Sequence, residues 1–188
     1  MSRDLSIAIT GTPGTGKTSL SKIFSSKQIK VMSVKELAEE LGFLGELDAS
    51  DESREIDIHR LSDEWEHNDS GMVVVEGHLS HFLDVDAIII LRCNPKILQN
   101  RLEKRGYSEQ KVRANTEWEL VSGIWSELLE FEIAAPILEI DTTNKNSEEV
   151  YEEAIVWLQQ EPIQEGLIEN AERAIDLSLI HISEPTRP

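Results

Sequence analysis

A cluster of glycines at fixed spacing, closing the first strand-like run, limits what this chain can fold into more than any other feature. Residues 5–10 form a short apolar run, and Gly11-Thr12-Pro13-Gly14-Thr15-Gly16-Lys17-Thr18 follows without a break. The pattern G-x-x-x-x-G-K-T, set between a strand and a helix, is a phosphate-binding loop. Its glycines let the backbone wrap closely around phosphate oxygens with N–H groups pointing inward, and the next helix adds the positive end of its dipole. Lys17 would reach the β- and γ-phosphates of ATP as a point charge. The Thr18 hydroxyl would ligate Mg²⁺, and Ser19 extends the polar start of the helix.

The rest of the chain alternates strand-sized and helix-sized patterns. Lys30–Ser33 is a weak second strand; Met72–Glu76 and residues 87–91 are continuous, β-branched and apolar, as strands buried on both faces should be; Ile137–Asp141 is a fifth. Helical signals fill the gaps. Lys17–Ser26 follows the loop, and Ser33 with Glu36 forms a capping-box pattern ahead of Val34, Leu37 and Leu41. Ile58, Leu61 and Trp65 share one helix face. Pro95 starts a helix running to Arg105. Val121, Ile124, Trp125 and Leu128 read as the buried stripe of one long helix after Ser108, and Ser147 as the cap of a last one. The expected fold class is α/β: a three-layer α/β/α P-loop NTPase core with a five-stranded parallel sheet, its ligands at the carboxyl ends of the strands.

Composition narrows the partners. The chain of 188 residues fits one domain, and its net charge of −18 argues against a broad nucleic-acid or anionic-membrane surface. A site for polyanionic ATP must then be a local positive island. The single cysteine, Cys93, excludes an internal disulfide and reads as a small buried residue at a strand end. With no run of bilayer length and no signal-peptide pattern at the start, the expected location is cytoplasmic.

Two further signals point to phosphoryl transfer. Glu76 closes an apolar strand in Val73-Val74-Val75-Glu76-Gly77-His78, the Walker-B arrangement, which sets a carboxylate near Mg²⁺ either directly or through water. His78 could position the nucleophile or a phosphate, whereas His81 reads as structural. Arg101 and Arg105 lie four residues apart at the end of a helix, so both could clamp the transferring group. Asn144-Lys145-Asn146-Ser147 resembles a guanine-reading motif without its aspartate, which argues against a GTPase.

Taken together, Gly-Thr-Pro-Gly-Thr-Gly-Lys-Thr, Val-Glu-Gly-His-Leu-Ser-His, Leu-Arg-Cys-Asn-Pro, Arg-Leu-Glu-Lys-Arg-Gly-Tyr-Ser-Glu-Gln-Lys-Val-Arg-Ala-Asn and Glu-Ile-Asp-Thr-Thr-Asn resemble the atypical adenylate kinase isoenzyme six family over roughly residues 5–160. The resemblance implies a nucleoside monophosphate kinase-like domain over 1–160, with an AMP-binding region at 33–56 and a lid at 104–114, catalysing ATP + AMP ⇌ 2 ADP with Mg²⁺ and some ATPase activity. It implies that Gly14, Gly16, Lys17, Thr18, Ser19 and Arg105 bind ATP, and that Lys17, Glu76, His78 and Arg105 act in catalysis. Asp57 and Arg60 match the segment closing the AMP region, Arg101 joins them as a substrate contact, and residues 142–145 would lie near adenine. Glu76 stands where eukaryotic members have Asp, which bears on the balance of transfer and hydrolysis. The same family implies an alternative role, an ATPase assembly factor for the small ribosomal subunit that binds its protein uS11.

The end of the chain stands apart. Residues 161–176 read as an acidic helix or frayed segment. Residues 177–188 resemble a translated sequencing adapter and are set aside from the fold.

Overall fold

The computed structural model describes residues 4–48, 53–66, 70–160 and 166–177. The glycine loop joins strand β1 (Leu5–Gly11) to helix α1 (Lys17–Ser26). Strand β2 (Lys30–Ser33) and helix α2 (Val34–Glu40) come next, joined by the capping box expected at Ser33 and Glu36. An antiparallel hairpin of β3 (Leu44–Asp48) and β4 (Ser53–Ile56) leads into α3 (Ile58–Glu64). Then follow β5 (Met72–Glu76), a single 3₁₀ turn at Ser80–Phe82, β6 (Ala87–Arg92), α4 (Pro95–Lys104), α5 (Glu109–Leu120) and α6 (Gly123–Glu130). Strand β7 (Ile137–Asp141), α7 (Ser147–Gln159) and α8 (Leu167–Glu172) complete the order.

All five strands expected from the sequence pair in one parallel sheet of order β2-β5-β1-β6-β7. Side chains of a strand alternate between faces, so each strand feeds two cores. Ile7, Ile9, Val74, Ile89 and Leu91 pack against Leu20 and Phe24 of α1 and Val150, Ala154 and Leu158 of α7. Their neighbours Ala8, Ile88 and Ile90 pack on the opposite side against Ile124, Trp125 and Leu128 of α6. Helices on both faces explain why the β5 and β6 runs carry no alternation. Among the described residues, no helix is long and apolar enough to cross a membrane.

The structure corrects several readings. The long helix after Ser108 is two, because Ser122 adopts the left-handed conformation (φ 53°) and breaks it. Val121 falls outside the buried stripe and is 64% exposed at that break. The last large helix is capped by Asn146, whose side chain accepts from the N–H groups of Glu148 and Glu149 while Glu149 reaches back; Ser147 is already its first helical residue. The acceptor-side segment carries the β3–β4 hairpin, which the sequence pattern did not suggest. Leu177, set aside with the tail, is buried, and residues 178–188 lie outside the described residues, as do 49–52 of the expected AMP-binding region.

Candidate active site

The site is assembled at the carboxyl edge of the sheet, where β1, β5 and β6 end at Gly11, Glu76 and Arg92. The loop between β1 and α1 is held tightly. Gly14 (φ +96°) lies under α4 so closely that a Cβ there would sit 2.8 Å from Leu98 Cδ1 and 3.0 Å from Leu102 Cδ2. Only glycine combines that backbone with that approach. The Thr12 carbonyl accepts hydrogen bonds from the Thr15 N–H (3.2 Å) and hydroxyl (2.9 Å), which close the loop on itself.

Lys17 lies within this cradle, its Nζ donating to the carbonyls of Gly11 (2.6 Å) and Thr12 (3.2 Å). Burial holds its pKa down at about 8, against the opposing attraction of Glu76 and Glu119. One residue on, the Thr18 hydroxyl faces the Glu76 carboxylate at 3.5 Å. A hydroxyl and a carboxylate set this far apart at a helix start form an all-oxygen donor pair that fits Mg²⁺, a hard cation that keeps most of its waters and shares the phosphates' oxygens.

His78 lies beyond Glu76 with Nδ1 buried and no hydrogen-bond partner for that atom among the described residues. Burial first, and the nearby charge of Lys17 second, hold its pKa below the ordinary value, which keeps the imidazole neutral at pH 7. His81, read as structural, is fully buried, with Nδ1 3.0 Å from the Thr10 hydroxyl and Nε2 3.2 Å from Glu127. The Thr10 hydroxyl in turn donates to the His78 carbonyl (2.9 Å), so this chain ties the turn after β5 to β1. Cys93 is wholly buried, and burial pushes its thiol up to about 11, so it is inert.

On the β6–β7 side of the loop lies an open cleft, lined in part by Gly14, Gly16, Ser19, Arg101, Arg105 and Lys145. The two arginines expected to act together are divided in their present contacts. Arg101 donates to the backbone carbonyls of Gly14 (3.4 Å), Thr142 (3.0 Å) and Thr143 (3.4 Å), which ties α4 to the phosphate loop and to the turn after β7. Arg105 ends α4 as an exposed cation over the cleft. On the opposite side, next to β5, α2 and α3 pack through Val34, Ala38, Leu61 and Trp65 onto Val75 and Leu83. Here Asp57 caps α3 by accepting from the Arg60 N–H (3.2 Å), and the Arg60 guanidinium rests 4.7 Å over the Phe43 ring. The phosphate loop therefore separates a cleft on the β6–β7 side from an arm on the β2–β5 side.

Sequence reasoning missed the pair Arg92 and Glu119, both almost wholly buried. One oxygen of the Glu119 carboxylate accepts from Arg92 Nε (2.8 Å) and the Cys93 N–H (2.9 Å), and the other from the Thr12 hydroxyl. Arg92 also holds Glu139, the Glu119 carbonyl and the Ser122 hydroxyl. The available signal was an arginine ending a fully buried strand, which demands an acidic partner in the fold.

A family model described as an AAA domain matches residues 7–122, more than half of the chain. A protein of Methanocaldococcus jannaschii named "Putative adenylate kinase" is 36% identical over 180 residues, covering 94% of this chain and 98% of that protein. One of the same name from Thermococcus onnurineus is 46% identical over 154 residues, 81% of this chain and 83% of its own. Among solved structures, deoxyadenosine kinase from M. mycoides with bound dATP superposes with a TM-score of 0.51 at 16% identity over 82% of this chain and 99% of that one, a likeness of fold alone.

Proposed function

This chain belongs to the AAA-domain family and to the archaeal group that carries the adenylate kinase name, and from that premise we propose that it transfers the γ-phosphoryl group of ATP to AMP, giving two ADP. The observation that carries the reading is the position of Lys17, Thr18 and Glu76 between a cleft on one side and the α2–β3–β4–α3 arm on the other. A hydrolase needs room for one nucleotide and a water. A kinase needs two binding regions facing each other across the phosphates, and a cleft and an arm on opposite sides of the loop support that reading.

The donor enters the cleft with its phosphates in the loop, displacing Lys17 from the Gly11 and Thr12 carbonyls onto phosphate oxygens. Arg105 adds a second cation over the transferring group, and Thr18 with Glu76 would hold Mg²⁺, which spreads the charge of the β- and γ-phosphates when bound. Arg60 leaves the Phe43 face to meet the AMP phosphate, and neutral His78 donates a ring N–H hydrogen bond that orients the attacking oxygen. Residues 104–114, from the end of α4 into α5, form the lid that keeps water out. On this reading the chain belongs with the atypical isoenzyme six branch, as its motifs suggest.

A coupled assay with AMP, dAMP and CMP in turn tests the proposal. Faster ADP formation with one of these acceptors is the expected result. Phosphate release indifferent to all three, but altered by the ribosomal protein uS11, would instead favour the assembly-ATPase role.

A further inference from the structure

Glu119 belongs to none of the sequence motifs of nucleotide binding, yet it touches the phosphate loop. It lies in the last turn of α5, the helix that leaves the lid segment, and only 2% of it is exposed. Its carboxylate bridges two parts of the molecule. One oxygen is fixed to the sheet by Arg92 and the Cys93 N–H; the other receives the hydroxyl of Thr12, itself fully buried. The carbonyl of the same Thr12 accepts from Thr15 and Lys17. A path of direct contacts thus runs from the base of the lid helix through one carboxylate and one threonine to the lysine that meets ATP. The base of that helix is rigidly placed, because Arg92 also holds the Glu119 carbonyl and the Ser122 hydroxyl where α5 breaks into α6.

We propose that Glu119 is a positioning residue for the donor site: through the Thr12 hydroxyl it fixes the first turn of the phosphate loop in the conformation that receives ATP. The proposal rests on the kinase reading only in naming ATP as the donor and AMP as the acceptor. A carboxylate accepting a hydroxyl is a charge-assisted contact, about twice as strong as a neutral one. Such an anchor limits the shapes available to a loop otherwise held by its own backbone, by α4 and by the Thr142 hydroxyl, which donates to the Thr15 carbonyl (2.7 Å). Its loss therefore falls on donor affinity, while the acceptor region, across Glu76 and built on α2 and α3, is untouched.

The test uses the full chain and measures the Kd of Mg-ATP and the KM of AMP. Thr12→Val keeps the shape of the side chain and removes the donor. The expected result is an ATP Kd weakened about tenfold, which corresponds to roughly 1.4 kcal/mol, with the AMP KM unchanged. Thr12→Ser, which keeps the hydroxyl, restores wild-type affinity. Glu119→Gln weakens ATP binding in the same way, and the double variant T12V/E119Q is no worse than the worse single variant. If T12V does not fold, E119Q carries the same reading. Unchanged ATP affinity in T12V or E119Q, additive losses in the double variant, or equal losses at both substrates would overturn the proposal. Lys17→Ala separates the two levels: if it loses ATP binding while T12V does not, only the positioning role fails; if neither loses it, the donor-site reading fails too.

Discussion

The two sides of the phosphate loop are built to different standards. On the proposed donor side, Thr12 and Thr15 are fully buried, Gly14 is packed under Leu98 and Leu102, and Glu119, Arg92 and Arg101 tie loop, α5 and β7 turn together. On the proposed acceptor side, the arm rests on an apolar cluster at its base, while the hairpin beyond it has an irregular register between Leu44 and Leu47, and among the described residues Arg60 meets Phe43 and its own helix cap. The contrast suggests an order of assembly. On the proposed function, ATP would meet a site already in shape, whereas AMP would have to bring its site together. Such a division suits a transfer enzyme, because the reacting centre is complete only once the acceptor has closed the arm, which limits attack of water on bound ATP.

The largest effect that could break this contrast is at Lys17. Lys17→Met is expected to lower phosphoryl transfer by about 10³-fold or more, measured as initial rate at saturating AMP. Substantial residual transfer would mean that the donor side is not the rigid half. Next comes the acceptor arm. Arg60→Ala is expected to raise the AMP KM by about tenfold with ATP affinity and Tm unchanged, since its guanidinium rests on a ring face. A fall in ATP affinity instead would erase the division.

Acidity gives a third probe. The form of Lys17 that binds phosphates is protonated, and burial holds its pKa at about 8 in the nucleotide-free chain. ATP affinity should therefore be level below that pH and fall as pH rises above it, by up to about tenfold per unit, in a titration of Kd from pH 7 to 10. The same lowering means that the unfolded chain binds more protons than the folded one between pH 8 and 10.5, so nucleotide-free stability gains from Lys17 as pH rises through that window. Lys17→Met should abolish that gain. The smallest effect is at the base of the arm: Asp57→Ala removes the cap of α3 and should cost about 1 kcal/mol by denaturant unfolding, with donor binding untouched.

Much of this architecture is legible in the chain itself, and the reasons differ by element. The parallel sheet could be read because β5 and β6 are unbroken β-branched runs, and the loop because its glycines sit between a strand and a helix. Those are local signals. The α5–α6 break was missed because it depends on Arg92 reaching the Glu119 carbonyl and Ser122 from another strand. Arg101 could be placed beside Arg105 on one helix face, but not that its guanidinium would take up the carbonyls of Gly14, Thr142 and Thr143. The hairpin escaped because its two strands are short and rich in charged residues, without the alternation of a half-buried ribbon. Long-range polar contacts leave little trace in sequence spacing, and they are what shape the donor side.

The claim that two nucleotides face each other across this loop has one direct test. ATP labelled at the γ-phosphorus is mixed with excess unlabelled AMP, Mg²⁺ and the protein, and the products are separated. Label recovered at the β-phosphate of newly formed ADP, with two ADP made for each ATP consumed, is the expected result. Label recovered only as inorganic phosphate, at a rate that AMP does not change, would contradict it.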